Sequence, residues 1–161
     1  MTNWVDRPRE VKYLLNPAFC AAILASCVLG YRTRKNEPMP LALAFLCLPI
    51  VLHGDTRRAL PKSTKSNLNS WLLSNRIITA DFAKRAQSLL PFTREALLFG
   101  VSREVLMVSN NGIETSIDKL STINASGTTI AEYAKAARNI GVWFAESGST
   151  STIFSLWGVA P

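Results

Sequence analysis

Histidine occurs once in 161 residues and cysteine only three times. Chemistry that gathers several imidazole or thiolate ligands therefore has little to draw on. Cys20, Cys27 and Cys47 lie inside apolar runs and lack the close pairing used for zinc ligation or redox cycling. They read as small core residues of a chain in a reducing cytoplasm. Also missing are a phosphate-cradling GxxxxGK[ST] loop, a GxGxxG turn after a strand, a GxSxG elbow and an HExxH pair. Glu95 and Glu104 stand on either side of an apolar stretch, and no two carboxylates form an evident acid/base pair. His53 closes an apolar run next to Gly54 and Asp55. Catalysis there requires a second group brought in from afar, with Asp55 as a candidate orienter, and the simpler role is structural. No catalytic residue, metal or cofactor is expected.

Charge is scarce too, at 18% of residues, while 48% are hydrophobic. That balance excludes a disordered chain. Eight Gly and eight Pro fall singly, without a repeat period, which excludes collagen and solenoids. The first twelve residues are polar and of mixed charge, so they do not form a secretory signal. Two uncharged stretches, Ala18–Gly30 and Leu41–Leu52, fall short of the roughly 20 residues a helix needs to cross a bilayer. The basic link Arg32, Arg34, Lys35 between them imitates a cytoplasmic loop, so a membrane-associated helical hairpin stays open as an alternative. Apolar on every face, these segments belong to a central core or to a surface that a partner covers.

Asn16-Pro17 is a helix start, with Asn as cap and Pro at the first helical position; the helix should run from about Pro17 to Leu29. Residues 37–40 read as a turn. Leu41–His53 follows as an apolar helix that Pro49 kinks or ends, and Gly54–Ser66 as a polar surface connection. Ser63 or Thr64 should cap a helix through about Asn75. An amphipathic helix over Ala80–Leu89 should break at Pro91, and a further one covers Thr93–Val101. Val105–Val108 and Ile113–Ile117 flank Asn111-Gly112, a type I′ hairpin signal. Residues 121–128 read as a loop. Thr129 with Glu132 has the spacing of a capping box opening a helix to about Glu146, and Ile153–Trp157 is a candidate strand. The class is therefore mainly α with a β-hairpin (α+β), in one domain spanning 1–161. Its parts are a basic helical first half (1–76), a winged helix-turn-helix-like segment (77–117, within an arrangement around 64–117) and a C-terminal helix with an apolar tail (128–161).

Net charge is +7, and all of it sits in residues 1–85, which carry 13 basic against five acidic side chains. Arg32, Arg34 and Lys35, with Arg57, Arg58, Lys62 and Lys65, flank the second apolar element and form a candidate basic patch for phosphates or an acidic protein. The helix expected before the hairpin, Arg94 to Arg103, offers few side chains that read base edges. The hairpin tip, Ser109 to Glu114, has no Lys or Arg to hold a phosphate. A winged helix of this composition grips protein rather than reading DNA sequence.

Several segments together resemble the middle component of bacterial three-component ABC systems. They are Asn16-Pro17-Ala18-Phe19, the run Pro40 to His53, Thr56-Arg57, Leu60-Pro61, Trp71-Leu72, Arg85-Ala86 and Pro91 to Phe99. The similarity covers roughly residues 1–117. It implies a small cytoplasmic subunit encoded with a Rad50/SMC-like ABC ATPase and a third, variable component, in systems associated with conflict against phages or other invading DNA. No functional residue transfers from it. The expected function is a non-catalytic adaptor that binds the ATPase and a third effector component. A nucleic-acid-binding subunit using the basic patch without base-specific readout is the alternative.

Overall fold

The structure, a computed structural model, describes residues 6–61, 66–116 and 129–160. Helices dominate, with one antiparallel hairpin, so the expected α+β class holds. In chain order the elements are α1 (Arg9–Leu14), α2 (Pro17–Arg32), a 3-10 turn at Leu41–Leu43 leading into α3 (Ala44–Val51), α4 (Gly54–Ala59), α5 (Leu68–Ser74), α6 (Arg76–Thr79), α7 (Phe82–Ser102), β1 (Leu106–Ser109), β2 (Gly112–Thr115), α8 (Thr129–Glu146) and α9 (Thr150–Leu156).

Asn16 sets the start of α2 as expected: its side chain accepts from the backbone N–H groups of Ala18 and Phe19, with Pro17 in the first turn. Gly30, expected to stop the helix, instead lies within it and serves packing. α8 runs parallel to α2, because Phe19 meets Tyr133 near their starts and Arg34 meets Glu146 near their ends. The backbones touch at two glycines. A Cβ on Gly30 would lie 2.0 Å from the Arg138 carbonyl oxygen, and one on Gly141 would lie 1.9 Å from that of Cys27. Ser26 and Ala137, one turn earlier on each helix, keep the seam narrow.

The core gathers around α2, α3, α7 and α8, with Ile23, Leu24, Leu48, Ile50, Ala96 and Phe144 almost fully buried. The apolar helices α2 and α3 are thus largely enclosed by the chain's own elements, with Phe45 of α3 left partly exposed. The C-terminal segment is enclosed as well: Trp157 packs against Phe82 and Trp71, and Trp71 against Trp143. The buried indole N–H groups of Trp143 and Trp157 have no acceptor among the described residues.

Five local expectations are corrected. Gly54–Ser66 is not simply a connection, because His53 caps α4 by accepting from the Thr56 N–H. Asn67, not Ser63 or Thr64, caps the next helix; those two residues lie outside the described ones, as do Ile117 and the loop expected over 121–128. Pro91 does not break the chain into two helices. Phe82 and Ala86 before it and Thr93, Ala96 and Gly100 after it share one buried stripe of α7, and that packing outweighs the roughly 3 kcal/mol a helical proline costs. The hairpin turns at Asn110-Asn111, one residue earlier than expected, with Ser109 opposite Gly112. Neither asparagine has a positive φ, so no type I′ turn forms. Met39, expected in a turn, sets this register: it exchanges both backbone hydrogen bonds with Ile113, at 3.0 and 2.8 Å. Gly112 (φ 137°) is required because a Cβ would lie 2.4 Å from the Met39 carbonyl oxygen. Finally, residues 153–157 are not a strand: they form the last part and the C-cap of α9, whose start Ser149 caps by accepting from the Thr152 N–H. Over 68–115 the chain therefore runs two short helices, one long helix and a hairpin.

Candidate functional site

Each described residue of the candidate basic patch is tied into the chain's own structure. Arg32, at the end of α2, donates to the Thr115 carbonyl at 3.3 Å and so links α2 to β2. Arg34 pairs with Glu146 at 3.0 Å, and Lys35 approaches Glu37 at 3.6 Å and the face of Tyr31. Arg57, on α4, donates to the carbonyl oxygens of Val51 and Leu52 at the end of α3, where the carbonyls lack helical partners, and its guanidinium lies 3.9 Å above the Tyr133 ring. Arg58 pairs with Asp55 one turn back and remains mostly solvent-exposed. Arg32 and Arg34 thus hold the end of α2 to β2 and α8, Lys35 makes local contacts, and Arg57 and Arg58 serve α4. Lys62 and Lys65 lie outside the described residues.

Asp55 is engaged by Arg58 and does not orient His53. His53 Nδ1 accepts from Thr56, its hydroxyl 2.7 Å away, an arrangement that assigns the remaining proton to Nε2. Burial, reinforced by Arg85, pushes the imidazole below its usual range. A cleft of about 530 Å³ adjoins it, lined in part by Arg58, Arg85, Asp55 and Asp81. Two cations face two carboxylates there, so the lining carries no net charge to select an anion. Burial pushes the Cys20 thiol up to about 12 and the Cys47 thiol well above its usual range, the latter reinforced by Cys27. Protonated and buried, they are poor nucleophiles at neutral pH. Among the described residues no cluster of His, Cys, Asp and Glu has the make-up of a metal site.

Sequence reasoning missed two features. The first is a clamp in which Arg7 donates two hydrogen bonds to the Glu95 carboxylate and lies over Phe92, tying the N-terminal segment to α7. The guanidinium holds Glu95 below the usual carboxylate range. At a separation of 88 residues, no local pattern announces such a pair. The second is an open apolar groove of about 550 Å³ between α3, α7 and the end of α9, with Phe45, Leu46, Ala83, Leu90, Phe154 and Val159 among its walls and Arg94 at its rim. Its α7 wall, residues 83, 86, 87, 90 and 94, repeats at helical spacing, which is the signal that pointed to it. Other apolar side chains stand in solvent, notably Ile77 at 93% and Leu98 at 72% exposure, with Met107 and Val108 on the outer strand of the hairpin.

By length and composition Val11–Arg32 passes as a membrane span, yet half of that window is buried inside the protein. A family model describing the Middle Component 3 of ABC-three component (ABC-3C) systems matches residues 4–161. No curated protein and no solved structure gives a match.

Proposed function

Because this chain belongs to the Middle Component 3 family of ABC-three component systems, we propose that it is a non-catalytic adaptor joining an ABC ATPase of the Rad50/SMC type to a third, effector component. The family match along nearly the whole chain carries this reading. It is supported by cysteines held protonated and a histidine committed to capping α4. Exposed Ile77, Leu98, Met107 and Val108, together with the groove beside α7, supply apolar surface for partners. Co-expression with the two components encoded beside it tests the idea. A ternary complex is expected, and an ATPase–effector pair that forms fully in its absence would refute the adaptor role.

The system acts in defence against phages or other invading DNA, from the cytoplasm and without membrane attachment. Deleting this component alone should abolish protection in a plaque assay, and the protein should be recovered from the soluble fraction without detergent. Within the adaptor, the winged-helix-like segment serves as a protein-binding unit: α7 leads straight into the hairpin, whose tip, Ser109 to Glu114, bears no cation.

Direct phosphate contact by DNA is the second reading, favoured by the net charge of +7. It draws on Lys62 and Lys65, since Arg57 is already engaged at the end of α3. Binding to duplex DNA that weakens steeply with salt and weakens further on Lys62→Ala/Lys65→Ala is the expected signature; no binding at low salt would dismiss it.

A further inference from the structure

We propose that the groove between α3, α7 and the C-terminal segment receives an amphipathic helix of a partner protein, with an acidic side chain of that helix pairing with Arg94. This deepens the adaptor reading and rests on it.

The walls decide the conformation of the occupant. All are helical or follow a helix end, so none offers a strand edge. An extended peptide would place its backbone N–H and C=O groups against apolar side chains without partners, whereas a helix satisfies its own. The α7 wall runs from Ala83 to Arg94, about 17 Å at helical rise, or three turns. Ala83 and Ala86 present small side chains toward the groove, and the seam between α2 and α8 shows what such surfaces accept: a second helix at close range.

Charge selects the partner. Among the residues that line the groove Arg94 is the one with a charged side chain, and none is a carboxylate. Glu95, the next residue on α7, is neutralised by Arg7. The groove therefore offers a single cation, Arg94, beside an apolar floor, and it favours an apolar helix carrying an Asp or Glu over a second copy of a chain whose net charge is +7.

The test uses the full chain co-purified with its two system components. Arg94 and Ala83 are exposed, so Arg94→Glu and Ala83→Trp change the groove without entering the core. Each should weaken binding of one component at least tenfold, with circular dichroism and Tm unchanged. Changing the matching acidic residue of that component to Lys should rescue Arg94→Glu. Cross-linking from a cysteine introduced at Leu90 should map to an acid-bearing amphipathic helix. If the wild-type complex forms and both variants bind as tightly as wild type, the groove proposal is overturned while the adaptor reading stands. If the wild-type chain binds neither component, the adaptor reading itself fails. Sedimentation showing a dimer that Arg94→Glu dissolves, or a bound acyl chain found by mass spectrometry of the purified protein, would overturn the partner-helix assignment in favour of a second copy or a lipid.

Discussion

Between α2 and α8 two backbones meet at Gly30 and Gly141 with no room for a methyl group, whereas between α3, α7 and the C-terminal segment about 550 Å³ stays open. Both regions are apolar and both are built on small side chains, Ser26 and Ala137 in the seam, Ala83 and Ala86 in the groove. What differs is whether the chain lays a second helix across them. Small residues permit close approach; only a partner element makes use of it.

Gly141→Ala attacks the closed side of this contrast and should have the largest effect. Alanine is the better helix former by up to about 1 kcal/mol, but its methyl would sit 1.9 Å from a backbone oxygen, which forces the helices apart. The expected loss is about 3 kcal/mol, a fall in Tm of about 6–12 °C. An unchanged melting curve would mean the seam does not exist.

Arg57→Ala comes next, at about 1–2 kcal/mol, because it uncovers the carbonyls ending α3 and removes the cation stacked on Tyr133. Arg57→Lys should recover only part, lacking the planar fork. Full recovery by lysine would reduce Arg57 to a surface charge.

Glu95→Gln probes the clamp holding the N-terminal segment to the helix that walls the groove. The folded-state carboxyl lies below its ordinary value of 4.5 through hydrogen bonding to Arg7. Its contribution is therefore complete above that value and disappears as pH falls through the lowered one. The variant should melt below wild type at pH 7, and the two curves should converge once the pH has fallen through the lowered value. A gap that persists in acid would assign the loss to packing instead of the ion pair. His53 behaves in the same sense at higher pH: its lowered value makes the cap on α4 weaken as pH drops below about 6.5.

Ala83→Trp should change stability least, by no more than about 0.5 kcal/mol, since it enters the open side of the contrast. A large loss would show that the groove closes on itself in solution.

Much of this was legible from local pattern. Asn16-Pro17 begins a helix because a side-chain oxygen and a fixed φ act on the very next residues, and the hairpin was visible for a similar reason. Its exact turn was not, because Met39, more than 70 residues away, pins Ile113. Pro91 looks like a stop when only its neighbours are weighed. The stripe from Phe82 to Gly100 keeps its phase across it, a signal that was present and underweighted. Ile153–Trp157 is apolar enough for a strand, yet no strand edge lies beside it among the described residues, and Trp71 and Phe82 pack its helix end instead. For the candidate site, the sequence showed where the cations are but not that the described ones of the patch are engaged, and the α7 spacing marked an apolar face without showing that part of it stays uncovered.

By itself, then, the order of amino acids determined the helical class, the hairpin, the starts of α2 and α8 and the shortage of reactive groups, since each depends on residues a few positions apart. Only the tertiary structure decided that α2 and most of α3 are enclosed by the chain itself, that Arg57 and Arg7 hold elements together, and that one apolar face between α3 and α7 is left uncovered. Those outcomes depend on which surfaces meet across long stretches of chain, where packing distance rather than sequence distance sets the energy.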